Sequence, residues 1–207
     1  TINETGQYIA PKLQIPNVAT FGEYFSRYLP VTNGIETEYT YRLPYLFEPI
    51  QLSFLSHMKN FSDNGKVFIA MGSGVPEGDL DVNRGKMVSL AAFYLGKSDY
   101  TYLIPIIDIT QGGYQNANAQ WTEAIRYDIG QPKADYYKIY TGQVPSNPSA
   151  TYNVYAREFT KALVLVKFNP TWLGSITSET ATTHALPQLP DNPSGYYYPL
   201  NVDGTLG

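Results

Sequence analysis

Apolar positions along this chain fall into two kinds of pattern. Residues 66–71, inside Gly65-Lys-Val-Phe-Ile-Ala-Met-Gly72, form a short, nearly continuous apolar run. Such a run predicts a strand covered on both faces. A polar stretch rich in Gly and carboxylates follows, and then Met87, Leu90, Ala91, Tyr94 and Leu95 recur at helical spacing. The spacing predicts a helix over 82–95, with Asp81 as its cap and Gly96 at its end. A further apolar run over 100–107 predicts the next strand. Upstream, Ile35, Thr37, Tyr39 and Tyr41 alternate with Glu36, Glu38 and Thr40. That is the period of a strand over 35–41 with two carboxylates on one side. Leu46, Ile50, Phe54, Met58 and Phe61 predict a helix over 47–62, where Pro49 is tolerable only in the first turn. Phe21, Tyr24, Phe25 and Tyr28 suit a short helix over 20–29 capped by Thr20. Residues 1–18 hold Pro11 and Pro16 without a sustained period and predict an irregular lead-in, and Asn33-Gly34 reads as a turn.

Strands alternating with helices through short links make parallel crossover units. In such units the loops after the C-terminal ends of the strands usually carry the site. Function is therefore expected at residues 73–81 and near Asp108.

The pattern changes after Asp108. Residues 111–120 form a polar linker containing Gly112-Gly113. Beyond it, Pro and Gly punctuate short runs rich in Tyr, Val, Ile and Thr. Strands are expected over 124–129, 136–140, 152–159 and 162–168. In the last, either Leu163 and Leu165 or Val164 and Val166 supply a buried face. The expected division is a partial (β/α) region over 1–112 and an antiparallel β domain over 113–207.

Composition narrows the classes. The 43% hydrophobic fraction is enough for a buried core, and no apolar run approaches the ~20 residues that span a bilayer. A net charge of -4, with 14 scattered basic residues, argues against a nucleic-acid surface. Cysteine is absent, which excludes thiolate metal sites, disulfides and a cysteine nucleophile. With only 2 histidines, His57 and His184, a multi-histidine metal site has almost nothing to draw on, and no metal or other cofactor is expected. His57 falls on the apolar side of the 47–62 helix and reads as a core-edge residue. The 19 tyrosines suit sugar stacking, protein interfaces or simply strand propensity.

Several phrases, in order, resemble the C-terminal part of uncharacterised bacterial TIM-barrel proteins grouped with the glycoside hydrolases. They are Gly65-Lys-Val-Phe-Ile-Ala-Met-Gly72; Arg84 with Ser89-Leu-Ala-Ala-Phe-Tyr-Leu95; Asp99-Tyr-Thr-Tyr102; and Trp121-Thr-Glu-Ala-Ile-Arg-Tyr-Asp-Ile-Gly-Gln-Pro132. Tyr155-Ala-Arg-Glu-Phe159, Ala162-Leu-Val-Leu-Val166, Thr180-Ala-Thr-Thr-His-Ala-Leu-Pro187 and the closing Tyr197-Tyr-Pro-Leu-Asn-Val-Asp-Gly-Thr-Leu-Gly207 follow. The resemblance covers roughly residues 60–207. It implies the end of a TIM-type barrel, with about three parallel strands and their helices, followed by a small antiparallel β-sandwich. It also implies carbohydrate as the partner and an extracellular or cell-surface setting. A whole barrel needs about 250 residues. The chain therefore reads as the tail of a longer protein, or as a shortened relative that self-associates to complete its sheet.

Glycosidases commonly work with two carboxylates at the C-terminal ends of barrel strands, one protonated and one ionised. Glu38 resembles the family's strand-end glutamate, with Glu36 beside it and Asp108 at the end of the third strand. The competing readings are solvated edge glutamates and a turn aspartate. Tyr39, Tyr41, Tyr45 and Trp121 are candidates for stacking on sugar rings, and Glu77 is a candidate substrate contact; each also suits packing or a solvated loop. Asp79-Leu-Asp81 lacks the spaced ligand set of a calcium loop. Gly72-Ser-Gly74 is neither a nucleophile elbow nor a phosphate loop. Two functions follow: a glycosidase using carboxylate acid/base chemistry, or a non-catalytic structural or carbohydrate-binding protein.

Overall fold

The computed structural model of the chain describes residues 13–18, 25–38, 40, 47–72, 82–105, 123–144 and 147–168. Strand and helix alternate through its first part: Asn17–Val18 (β1), Phe25–Tyr28 (α1), Gly34–Thr37 (β2), Glu48–Asp63 (α2), Val67–Gly72 (β3), Val82–Gly96 (α3) and Thr101–Pro105 (β4). The four strands are parallel and lie side by side in chain order. The expected α/β arrangement of the first half is what forms, and its two long helices begin and end close to the predicted positions.

Local chemistry explains these elements. Pro49 lies in the first turn of α2, where its missing N–H has no helical partner to lose, and Glu48 beside it favours the positive end of the helix dipole. The α2 stripe Phe54, Leu55, Met58 and Phe61 is buried. After Asn64 the chain turns at Gly65 with φ +65°, a left-handed conformation that glycine adopts without Cβ strain.

Alternation along the strands divides the sheet into two faces. Ile35, Thr37, Phe68, Ala70 and Thr101 are buried on the helical side. There they join Phe25 of α1, the α2 stripe and Ala92, Phe93 and Leu95 of α3 in one core. The Phe25 ring meets Phe54 at 5.8 Å and Phe68 edge-on at 6.0 Å, so all three helices lie on one side of the sheet. Full burial of one such ring stabilises by about 1.5–3 kcal/mol. His57 meets Phe25 edge-on at 5.0 Å, at the border of this core.

Three expectations are corrected. The 66–71 run is not covered equally on both sides: Phe68 and Ala70 are buried, whereas Val67, Ile69 and Met71 are only half-buried. The 35–41 strand ends at Thr37, because the chain turns at Glu38 and the Thr40 amide donates to the Met71 carbonyl at 3.0 Å. The lead-in contains β1, aligned on β2 by the Glu36 amide donating to the Pro16 carbonyl at 2.9 Å.

The second part is an antiparallel sheet of Tyr137–Val144 (β5), Asn147–Glu158 (β6) and Leu163–Lys167 (β7), in that order. Val164 and Val166 are the inward members of β7. Together with Tyr155, Phe159 and Phe168 they extend the same core over the far side of α2 and α3. Among the described residues the layers therefore run parallel sheet, helices, antiparallel sheet. The expected strand at 124–129 is absent: Glu123–Arg126 is a 3-10 turn. An Arg126–Glu123 ion pair at 3.2 Å spans that turn. The Asp128 carboxylate then accepts from the Gly130 amide at 2.9 Å, and Gly130 has φ +76°, so the chain bends where a strand would have to continue.

Candidate functional site

The C-terminal end of β2 carries the two carboxylates that the sequence singles out. Glu36 is on the strand and Glu38 is one residue beyond it. Both are half-buried and alternate with buried Ile35 and Thr37, which places Glu36 on the sheet face opposite the helices. The parallel register aligns Asn17, Glu36, Ile69 and Tyr102 in one row across four strands. Tyr102 is 53% exposed and Ile104, two residues on, is 38% exposed. This face, which none of the described helices covers, thus presents an amide, a carboxylate, an aliphatic side chain and a phenol side by side.

The turn holding Glu38 is fixed from below. Thr37, Thr40 and Gln51 are each fully buried. The Thr37 and Thr40 hydroxyls bond to each other, and the Gln51 side-chain amide donates to the Thr40 carbonyl at 2.7 Å. Buried polar groups are stable only when bonded, so this network resists displacement of the turn. From the side, the Asn17 amide nitrogen donates to Glu38 Oε1 at 2.8 Å. The predicted residues Asp108, Tyr39, Tyr41, Tyr45, Trp121 and Glu77 lie outside the described residues.

Two residues of this face escaped the sequence reading. Asn17 belongs to a strand of only 2 residues, too short to show a period. Tyr102 was legible in principle: Tyr100-Thr-Tyr102-Leu-Ile104 alternates, and the alternation marks an open face.

A second polar cluster fastens the antiparallel sheet to the helices. The Asn153 side-chain amide and the Tyr155 hydroxyl both donate to Glu48 Oε1, each at 2.8 Å. Burial first, and then the Glu48 carboxylate, push the Tyr155 hydroxyl well above the usual tyrosine range. At the other end of β6, Arg157 is 8% exposed. Its Nη1 donates to the carbonyls of Tyr94, Leu95 and Lys97 at 3.2, 3.0 and 2.7 Å, where α3 ends, and its Nε donates to the Ala134 carbonyl at 3.0 Å. A cation is favoured at the negative end of a helix dipole, where the last carbonyls lack the full set of helical donors.

Among the described residues no group of three or more His, Asp or Glu side chains is placed to hold a metal ion. Nor is any helix among them long and apolar enough to cross a membrane. No protein-family model matches the chain, and a search of curated proteins finds no match.

Proposed function

We propose that this chain carries the closing strands of a (β/α) barrel of TIM type and a C-terminal β-sandwich, and that it acts on or binds an extracellular or cell-surface carbohydrate as a glycoside-hydrolase-like protein. One observation carries the reading: four parallel strands in unbroken chain order, with every described helix packed on the same face. A barrel is built this way, helices outside and strand interiors facing a common axis. In doubly wound sheets the strand order reverses and helices cover both faces. On this reading the face bearing Glu36 and Tyr102 looks into the barrel, and Glu38 stands at its C-terminal rim. Hydrolysis then needs no cofactor. One carboxyl protonates the leaving oxygen, while the other, ionised, attacks the anomeric carbon or activates water. A separation of about 5–5.5 Å gives retention and about 6.5–9.5 Å inversion. Glu38 takes one role and Asp108 or Glu36 the other. Tyr39, Tyr41, Tyr45, Trp121 and Glu77 contact the sugar.

The test is Glu38→Gln, assayed on a broad panel of glycans. The exchange keeps the shape and removes ionisation, so turnover falls by about 10²–10⁴. Unchanged turnover removes Glu38 from the mechanism. A second reading, a non-catalytic protein that self-associates, is favoured by the exposure of Tyr102 and Ile104 on the face away from the described helices. An aromatic and an aliphatic side chain left open on a parallel sheet suit contact with another chain.

A further inference from the structure

We infer that Asn17 is a positioning residue that holds the Glu38 carboxylate in a single orientation at the end of β2; the inference rests on the reading of Glu38 as the site carboxylate. An amide contact on a protein surface is ordinarily weak, because each partner is free to turn toward water. Three features separate this one from that case. The backbone under Asn17 is fixed: the Asn33 amide donates to the Gln14 carbonyl at 2.9 Å, the Gln14 amide donates to Asn33 Oδ1 at 2.9 Å, and the Glu36 amide donates to the Pro16 carbonyl at 2.9 Å. The backbone under Glu38 is fixed as well, between buried Thr37 and Thr40, by the hydroxyl pair, the Gln51 amide and the Thr40-to-Met71 bond. Finally, Asn17 stands in register with Glu36, yet its amide nitrogen reaches across to Glu38 at 2.8 Å.

The chemistry of the contact has a direction. An N–H can only donate, so it pairs best with an ionised oxygen, and such charge-assisted bonds are the stronger kind. Asn17 thus steadies one oxygen of the Glu38 carboxyl, so that the other is left free to face a substrate. Sites that work by geometry need this kind of support from neighbouring side chains.

The experiment labels carboxyl groups with a water-soluble carbodiimide and an amine, read residue by residue by mass spectrometry. The full chain is compared with Asn17→Ala and with Asn17→Leu, which keeps much of the bulk, loses the donor and adds no charge. Circular dichroism confirms that each variant is folded. Loss of one hydrogen bond to a partly exposed carboxylate should speed labelling at Glu38 by about twofold to fivefold. Asp63, at the end of α2 and away from Asn17, serves as the internal reference and stays unchanged. Equal labelling of Glu38 in all three proteins overturns the inference, as does a parallel rise at Asp63, which would mean general loosening of the fold. The same proteins are assayed on the glycan panel. If the wild type turns over, Asn17→Ala lowers kcat while KM holds. If the wild type is inactive, the hydrolase reading fails, and the labelling still decides the role of Asn17.

Discussion

Single side chains join the two halves of this molecule, and they do so by satisfying backbone groups. Arg157 meets three carbonyls at the end of α3 and a fourth at Ala134. Arg157→Met keeps much of the apolar stem but leaves those acceptors without their donor. It should destabilise the protein by about 2–4 kcal/mol, read as a lowered midpoint in urea. Arg157→Lys should recover only part, since an ammonium cannot reproduce the planar fork. Tyr155 gives a pH-dependent counterpart. The folded protein holds its hydroxyl proton more tightly than the unfolded chain does, because burial and Glu48 disfavour the phenolate. The stability that this supplies is complete below the ordinary tyrosine value of 10.0 and is lost as pH rises from there through the folded value. Tyr94 and Tyr136 are raised for the same leading reason, burial, and share the alkaline loss. Tyr155→Phe should cost about 1–2 kcal/mol near neutrality and flatten the fall in stability above pH ~10, as measured by urea titrations at a series of pH values. None of these contacts was legible in the sequence. Arg157 stands 60 residues from Lys97, whose carbonyl it meets, and only the fold brings them together.

Elements were legible in proportion to the length of their period. The helices α2 and α3 present several turns of apolar spacing, and β3, β4 and β7 present several residues of strand pattern, so their positions follow from the residues. β1 has 2 residues beside a proline and offers no period at all; its pairing with β2 decides it. The 124–129 stretch has a strand-like composition, but Glu123, Arg126, Asp128 and Gly130 find local partners and a left-handed bend that end an extended run first. Gly34 shows the same limit. The sequence reads Asn33-Gly34 as a turn, yet Gly34 is the first residue of β2, where the neighbouring strand comes close. A Cβ there would press on the Val67 carbonyl oxygen and lie 2.7 Å from the Val67 Cβ. Gly34→Ala should therefore separate β2 from β3 at their start and cost about 1–3 kcal/mol in a denaturation experiment, although alanine is otherwise tolerated in strands.

The arrangement of the whole molecule follows from which surfaces it covers. The two long helices α2 and α3 are enclosed on both sides, by the parallel sheet and by the antiparallel one, while the other face of the parallel sheet leaves Tyr102 and Ile104 exposed. Parallel sheets are almost always covered on both faces, and strand edges attract further strands. Within the described sheet, β1 and β4 are such edges. The barrel reading and the self-association reading both place something against this face, so both predict that the 207-residue chain associates when it is alone in solution. Light scattering over a concentration series should give a mass above 23.1 kDa that rises with concentration. The double substitution Tyr102→Lys, Ile104→Lys adds two charges to the open face without touching the core beneath, and should return the mass to 23.1 kDa with the circular dichroism unchanged. A wild type that stays at 23.1 kDa throughout counts against both. Glycan turnover separates them: a chain that hydrolyses glycans and loses that activity with Glu38→Gln is the hydrolase, and an associating chain with no turnover is the structural or carbohydrate-binding protein.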